Sequence, residues 1–384
     1  MRILVLGADG YLGWPTCMDL ASHGHTVVGA DNYLRRTIAM QTQSEPLFAT
    51  PNLVERARIF REACGGEVAV EIGDCRDFRF MEGLFAKYQP DCVVHYAEQP
   101  SGPYSMRGYE EARLTLDNNL QATFNLIWAV IQHAPGCHIV KLGTMGEYGT
   151  PGIDIEEGYI EIEHKGRRDR FLYPRQAGSL YHTTKVLDTD LLWFYVRTHK
   201  LCVTDLMQGP VYGLATGETE RDERLLPNFH YDDIFGTVLN RFLVQAVAGL
   251  PLTVYGRGGQ KRGYLNVRDT LQCVRLAAEN PAGAGQLRIL NQFTEVFSVN
   301  ELAAKVREAG KAFALDVAIE NIANPRQELE EHYYNPAHTG LIELGLNPCL
   351  LTTDVLEGML EMVLRRKDLI DSAKVLPRVA WSGK

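Results

Sequence analysis

The chain has 384 residues, 39 basic against 48 acidic side chains, a formal net charge of −9 and 45% hydrophobic residues. That length suffices for one large or two modest domains with a substantial core, and a 23% share of charged residues is ordinary for a globular protein, which excludes wholesale disorder. The acidic excess carries no block of five like charges, which disfavours a non-specific nucleic-acid binder and electrostatic attachment to an anionic membrane.

Short apolar runs alternate with helical patterns from the first residue. Arg2–Leu6 reads as a strand, followed by a glycine-rich turn and a helix through Leu20 and Ala21. Further strands are expected at Thr26–Ala30, Glu67–Ile72, Cys92–Tyr96, His138–Leu142 and Cys202–Met207. Such nearly continuous apolar runs suit strands covered on both faces, so the expected fold class is α/β, a doubly wound parallel Rossmann sheet. Glu218–Asp233 is polar and reads as loop, Phe235–Gly249 as helix, and Leu252–Tyr255 as a short strand. Pro281–Ala284 is a turn too brief for a linker, and Gly285–Asn291 looks like one more sheet strand. Ser298 followed by Glu301 can cap a helix running to Ala309. The expected organisation is a dinucleotide-binding domain over 1–211, its sheet completed by about 236–295, with a smaller interleaved substrate lobe from 212–235 and 296–384.

The cysteines (17, 64, 75, 92, 137, 202, 273 and 349) form no CxxC pair, so no metal site is expected and a reducing compartment is favoured. No apolar run approaches the roughly 20 residues of a membrane span. The chain opens directly on a strand with no charged leader, so a cytoplasmic location without a membrane partner is expected.

Gly7-Ala8-Asp9-Gly10-Tyr11-Leu12-Gly13 places glycines at positions 1, 4 and 7 between a strand and a helix. Glycine there permits the tight turn, the approach of backbone N–H groups to a pyrophosphate, and close packing of helix on sheet. Asp31 closes the second strand, where a carboxylate accepts ribose hydroxyls and repels a 2′-phosphate, favouring NAD over NADP. Arg35 and Arg36 follow, as groups to stack on adenine or grip a phosphate. Asp74 and Cys75 end the third strand, where a carboxylate commonly meets the adenine amine.

Tyr181-His182-Thr183-Thr184-Lys185 has YxxxK spacing, which sets tyrosine and lysine on one helix face. A nearby ammonium stabilises phenolate and is expected to lower the tyrosine from its free value near 10, making Tyr181 a general base for a sugar carbinol. Thr144 ends a strand and completes the constellation.

Here the chain resembles the extended short-chain dehydrogenase/reductase superfamily and, within it, the UDP-sulfoquinovose synthase family. The narrower resemblance rests on Asp31-Asn32 with Arg35-Arg36, Gly143-Thr144-Met145-Gly146-Glu147-Tyr148-Gly149-Thr150-Pro151, Ile153–Glu157 and Tyr181-His182. It continues through Leu252–Gly256 with Gly258-Gly259-Gln260, Asn291-Gln292-Phe293, Asn324-Pro325-Arg326 and Glu331–Asn335, and so spans nearly the entire chain.

The resemblance implies a tightly held NAD that removes hydride from C4 of a nucleotide-linked hexose, loss of water across C5–C6, addition of sulfite at C6 and return of hydride to C4. It makes Tyr181 the base, Lys185 its tuner and a ribose ligand, and Thr144 the partner of the 4-oxygen. Ordinary nucleotide-sugar 4,6-dehydratases carry Thr-Asp-Glu where this chain has Thr144-Met145-Gly146, so Glu147 and His182 become the groups expected to move protons at C5 and C6. Gln99, Asn119, Gln208 and Val211 join the glycine turn, Asp31 and Asn32 as NAD contacts. Gln99, Gln208, Thr253, Val254, Tyr255 and Gln260 join Thr144 and Tyr181 as substrate contacts, with Arg262 and Arg326 placed to neutralise a diphosphate. A homodimer is also implied.

Two segments depart from the family pattern. Glu-Gln-Arg-Ser-Ala-Pro-Tyr-Ser-Met is here Glu98-Gln99-Pro100-Ser101-Gly102-Pro103-Tyr104-Ser105-Met106, and Leu-Arg-Asn-Arg-Leu-Asp-Tyr-Asp is Leu225-Leu226-Pro227-Asn228-Phe229-His230-Tyr231-Asp232. Three arginines expected around the sugar are absent. The alternative is therefore a paralogous NAD-dependent epimerase or dehydratase acting without sulfite on another nucleotide or nucleotide sugar. A non-catalytic NAD sensor is disfavoured by intact Thr144, Tyr181 and Lys185.

Overall fold

The computed structural model describes residues 1–324 and 333–376. In chain order its strands are β1 (Arg2–Leu6), β2 (Thr26–Asp31), β3 (Val68–Ile72), β4 (Cys92–His95), β5 (His138–Thr144), β6 (Tyr159–His164), β7 (Arg167–Leu172), β8 (Cys202–Gln208), β9 (Val211–Tyr212), β10 (Leu252–Tyr255), β11 (Lys261–Asn266), β12 (Gln286–Gln292), β13 (Glu295–Ser298) and β14 (Ile319–Ile322). Seven of them form one parallel sheet in the order β3-β2-β1-β4-β5-β8-β12. Strand order reverses between β1 and β4, which opens a crevice at the carboxyl ends of the strands.

Both faces of the sheet are covered over its inner strands, which is why these read as nearly continuous apolar runs. The helices are α1 (Gly13–Ser22), α2 (Leu34–Thr42), α3 (Leu53–Cys64), α4 (Phe78–Tyr88), α5 (Gly102–Ser105), α6 (Tyr109–His133), α7 (Leu180–His199), α8 (Val238–Ala248), α9 (Val267–Glu279), α10 (Val299–Gly310), α11 (Gly340–Glu343) and α12 (Thr353–Leu364). Leu4, Leu6, Val93, Ile139 and Val203 face α4, α6 and α7 through Phe85, Leu126 and Val196. Ile3, Val5, Val94, Val140 and Leu206 face α1, α3 and α9 through Trp14, Phe60 and Val274.

A separate apolar cluster joins α8, β10, α10 and α12 through Phe242, Leu252, Val306 and Leu360. Within 236–295, the stretch expected to complete the sheet, β12 does so and α9 covers one of its faces. Only β12 from that stretch enters the sheet, because α8 and β10 bury their apolar faces against α10 and α12 instead. The capping box at the start of α10 is formed: Ser298 Oγ accepts from Glu301 N at 3.2 Å, and Glu301 Oε2 accepts from Ser298 N at 2.6 Å. No helix among the described residues is long and apolar enough to cross a membrane.

Candidate active site

The turn after β1 is built by steric exclusion. Gly7 has φ of +85°, and a Cβ there would stand 2.6 Å from the Tyr96 carbonyl carbon. A Cβ on Gly13 would stand 2.0 Å from Gly7 O, so the start of α1 lies tight against the turn. Gly10 N donates to Gly7 O at 3.2 Å. Beside the turn, Asp31 Oδ2 accepts from Asp9 N at 2.9 Å and Oδ1 from Tyr33 N at 2.6 Å. Burial, and after it the charge of Asp9, push the Asp31 carboxyl up to about 6.

These residues line one end of a cleft of about 660 Å³ running along the carboxyl ends of the strands. Gly7, Asp9, Gly10, Tyr11, Leu12 and Gly13 form its floor, and Asp31, Asn32, Arg35, Asp74 and Cys75 one end. Asp74 is held by Arg76 at 2.7 Å, which outweighs burial and leaves its carboxyl below the ordinary range. Arg35 lies 4.8 Å over the Phe235 ring, which also faces the cleft. A glycine cradle that a Cβ would fill, beside a carboxylate at the end of β2, fits a dinucleotide.

Arg36 does not line the cleft. Its guanidinium is taken up by the buried Asp9 carboxylate at 2.6 and 2.7 Å and by the Thr50 and Pro51 carbonyls. The expectation that it grips cofactor is corrected to a brace beneath the turn.

Thr144, Tyr181, His182, Gln208 and Val211 line the other end. Thr144 caps the turn after β5, its Oγ accepting from Gly146 N at 3.1 Å, which directs its own hydrogen elsewhere. Ser179 caps α7, accepting from His182 N at 3.2 Å, and its Oγ lies 3.0 Å from His182 Nδ1. The imidazole thereby covers Gly146, where a Cβ would stand 2.5 Å from Nε2. Tyr181 N donates to Ser105 Oγ at 3.1 Å, tying the start of α7 to α5.

Two expectations for this end are corrected. Glu147 is fully buried outside the cleft lining; its Oε1 accepts from Thr144 N at 3.3 Å and its carboxylate lies 3.5 Å from both Lys141 Nζ and Arg175 Nε. Those partners make it a buried anchor for the Thr144 turn rather than a group facing a sugar. Nor does Lys185 alone lower the Tyr181 phenol: in the chain without cofactor, burial, then Glu98 and Glu147, hold it above its ordinary range, so its service as a base needs a further positive charge, such as a nicotinamide ring would bring. Lys185 Nζ, 6.0 Å from the Tyr181 ring centre, is itself paired with Glu98 Oε1 at 2.6 Å.

Several expected contacts stand one layer behind the cleft. Gln99 and Asn119 are buried: Gln99 N donates to Asn119 Oδ1 at 2.8 Å, and Asn119 Nδ2 to Thr184 Oγ1 at 2.9 Å, joining the end of β4 to α6 and α7. Thr253, Val254, Tyr255 and Gln260 are buried too. Arg241 donates to Thr253 O at 3.0 Å and lies 4.1 Å over Tyr255, while Gln260 Nε2 donates to Tyr255 O at 3.1 Å. Arg262 lines the cleft beside Tyr334, whose hydroxyl accepts from Gly263 N at 3.0 Å. Arg326 lies outside the described residues.

The arginine losses separate in the same way. Pro100 is exposed on the cleft wall. Leu226 and Asn228 are buried away from it, Asn228 Nδ2 donating to Asp9 O at 3.2 Å and its Oδ1 accepting from Thr50 Oγ1 at 2.7 Å. Glu98, which the resemblance sets near cofactor and sugar at the end of a strand, lines the cleft too, as do Met145, Gln176 and Thr237, which were not assigned as contacts. Only the first, following the β4 strand, carried a sequence signal.

Over residues 3–291 the chain matches the NAD dependent epimerase/dehydratase family, and it belongs to that family. It is an enzyme with NAD as its cofactor. Within the family it is similar to the chloroplastic UDP-sulfoquinovose synthase of Spinacia oleracea, at 47% identity over 380 residues, covering 99% of this chain and 79% of that protein. The UDP-sulfoquinovose synthase of Sulfolobus acidocaldarius is 43% identical over 384 residues, covering 99% and 98%. The fold is shared with the UDP-glucuronic acid 4-epimerase of Bacillus cereus, solved with UDP-glucuronic acid and NAD, at a TM-score of 0.72 and 18% identity over 95% of this chain and 99% of that one.

Proposed function

We propose that the protein converts UDP-glucose and sulfite to UDP-sulfoquinovose through transient oxidation at C4. The observation that carries this reading is the near full-length identity to two proteins of that name, joined to a cleft on which Thr144, Tyr181 and His182 converge. The glycine turn and Asp31 would hold NAD, which would supply the acceptor and donor of the C4 hydride. Tyr181 Oη takes the proton of the 4-hydroxyl and later returns it. Thr144, whose Oγ already accepts from Gly146 N, donates to the 4-oxygen as it becomes a carbonyl. The 4-ketone acidifies the C5 proton, water leaves across C5–C6, and the sulfur lone pair of sulfite adds at C6 as C5 regains its proton. His182 serves these proton transfers from its seat over Gly146, the site of an acid in ordinary dehydratases. Arg262 sits on the wall where a diphosphate would need a cation.

Pro100 favours a second reading, a sulfite-independent epimerase or dehydratase, since it removes a cation from the cleft wall. The loss at Leu226 and Asn228 does not favour it, because both side chains are buried elsewhere. Tyr181→Phe tests the shared step: reduction of bound NAD by the sugar nucleotide should fall at least ~100-fold with NAD retained. Near-normal reduction would remove Tyr181 from the mechanism.

We also propose a homodimer through α6 and α7. Phe124, Leu187 and Phe194 on these packed helices are 40%, 39% and 50% exposed, an apolar face that a second copy would cover. A cytoplasmic location remains part of this proposal, supported by the composition alone. Light scattering at micromolar concentration should give twice the chain mass; a monomer would overturn the dimer.

A further inference from the structure

Between the end of β4 and the first turns of α7 lies a buried pair that the steps above do not use. The Glu98 side chain is only 2% exposed although the residue stands on the cleft wall. Its Oε1 accepts from Lys185 Nζ at 2.6 Å and lies 3.7 Å from His95 Nε2, while its Oε2 has no hydrogen-bond partner among the described residues. Lys185 Nζ also donates to Leu142 O at 2.5 Å. The lysine is thus held by two acceptors, one of them an anion. A carboxylate in contact with an ammonium cancels much of the field that the ammonium would lay on a neighbouring phenol.

We propose that Glu98 is a positioning residue that fixes the Lys185 ammonium and, by opposing its charge, sets the pH at which Tyr181 gives up its proton. The proposal rests on the reading of Tyr181 as the base. The other charged or titratable groups facing the pair are His182 and Asp188 on α7, Lys141 on β5, Glu147 after β5, Asp205 on β8 and His95 on β4. His182 is engaged at Nδ1, 3.0 Å from Ser179 Oγ. Burial holds His95 down at about 4 and so neutral at physiological pH, and burial with Glu98 raises the Asp188 carboxyl well above the ordinary range. Lys141 is matched by Asp205 at 3.3 Å and Glu147 at 3.5 Å. Glu98 is the carboxylate in contact with Lys185 and the largest charge, after burial itself, acting against the Tyr181 phenolate.

The test uses the full chain with NAD bound and two readouts. One is the phenolate absorbance of Tyr181, taken as the difference from Tyr181→Phe; the other is the pH dependence of bound-NAD reduction by UDP-glucose. Glu98→Gln should move both the phenol titration and the acid limb of the rate down by about one pH unit, a roughly tenfold faster reduction on that limb. Glu98→Asp, which keeps the charge, should leave the limb near that of the unaltered protein. Should Glu98→Gln not fold, Lys185→Gln reads the same pair from the other side, and the Tyr181 titration must then rise. A titration unmoved by Glu98→Gln, raised by it, or unmoved by Lys185→Gln overturns the proposal. If UDP-glucose never reduces NAD in the unaltered protein, the proposed reaction fails, yet the phenol titration still decides the role of Glu98.

Discussion

Asp31, proposed to take the cofactor ribose, would couple cofactor binding to pH. Burial and Asp9 raise its carboxyl to about 6, so at neutral pH it is ionised and able to accept ribose hydroxyls. NAD affinity should therefore weaken as pH falls through about 6, and Asp31→Asn should flatten that dependence while binding NAD about tenfold more weakly at neutral pH, measured by calorimetry. The stability sign is opposite. A folded-state value raised above the unfolded one makes ionised Asp31 a cost that grows as pH rises toward 6, so the NAD-stripped protein should lose stability over that window in chemical denaturation. Gly146 makes a second residue-scale test. A Cβ there meets the far end of His182, which can move, so Gly146→Ala should change stability by less than about 1 kcal/mol yet displace the imidazole. Turnover should drop at least ~10-fold with C4 oxidation largely kept, read by single-turnover NAD reduction against product formation.

At the scale of elements, the inner sheet strands were legible because they are buried on both faces, giving runs such as Ile3–Leu6 and Cys92–Val94 without polar alternation. The glycine turn was legible for the same steric reason that now fixes Gly7 and Gly13. The β6–β7 hairpin was not: Glu161, Glu163, Arg168 and Arg170 leave it almost entirely exposed, without apolar periodicity to read. The α10 capping box was legible from Ser298 and Glu301 alone, and Ser298→Ala should cost about 1 kcal/mol in chemical denaturation. The charge beneath the base was harder to foresee. YxxxK spacing sets Tyr181 and Lys185 on one helix, but the partner that neutralises Lys185 comes from the end of β4, a contact no local spacing reports.

At the scale of the whole molecule, the α2–α3 loop ties the cofactor turn to the second apolar cluster. Leu47 is buried in that cluster, its N donating to Phe229 O at 2.8 Å, while Ser44 O lies 2.9 Å from His230 Nδ1. Asn228 continues the tie to Asp9 O. Leu226 and Asn228, first read as changes to a sugar pocket, thus belong to this brace, whereas Pro100 stays on the cleft wall. NAD bound at the turn should then raise the melting of the whole chain as a single calorimetric transition; two separate transitions would show the lobes uncoupled. The central claim is C4 oxidation coupled to sulfite addition. Mass spectrometry of the NAD-loaded protein with UDP-glucose, with and without sulfite, tests it directly. A UDP-linked sulfonated hexose should form, and only with sulfite; turnover to an epimer or a dehydrated sugar regardless of sulfite would rule out sulfite addition.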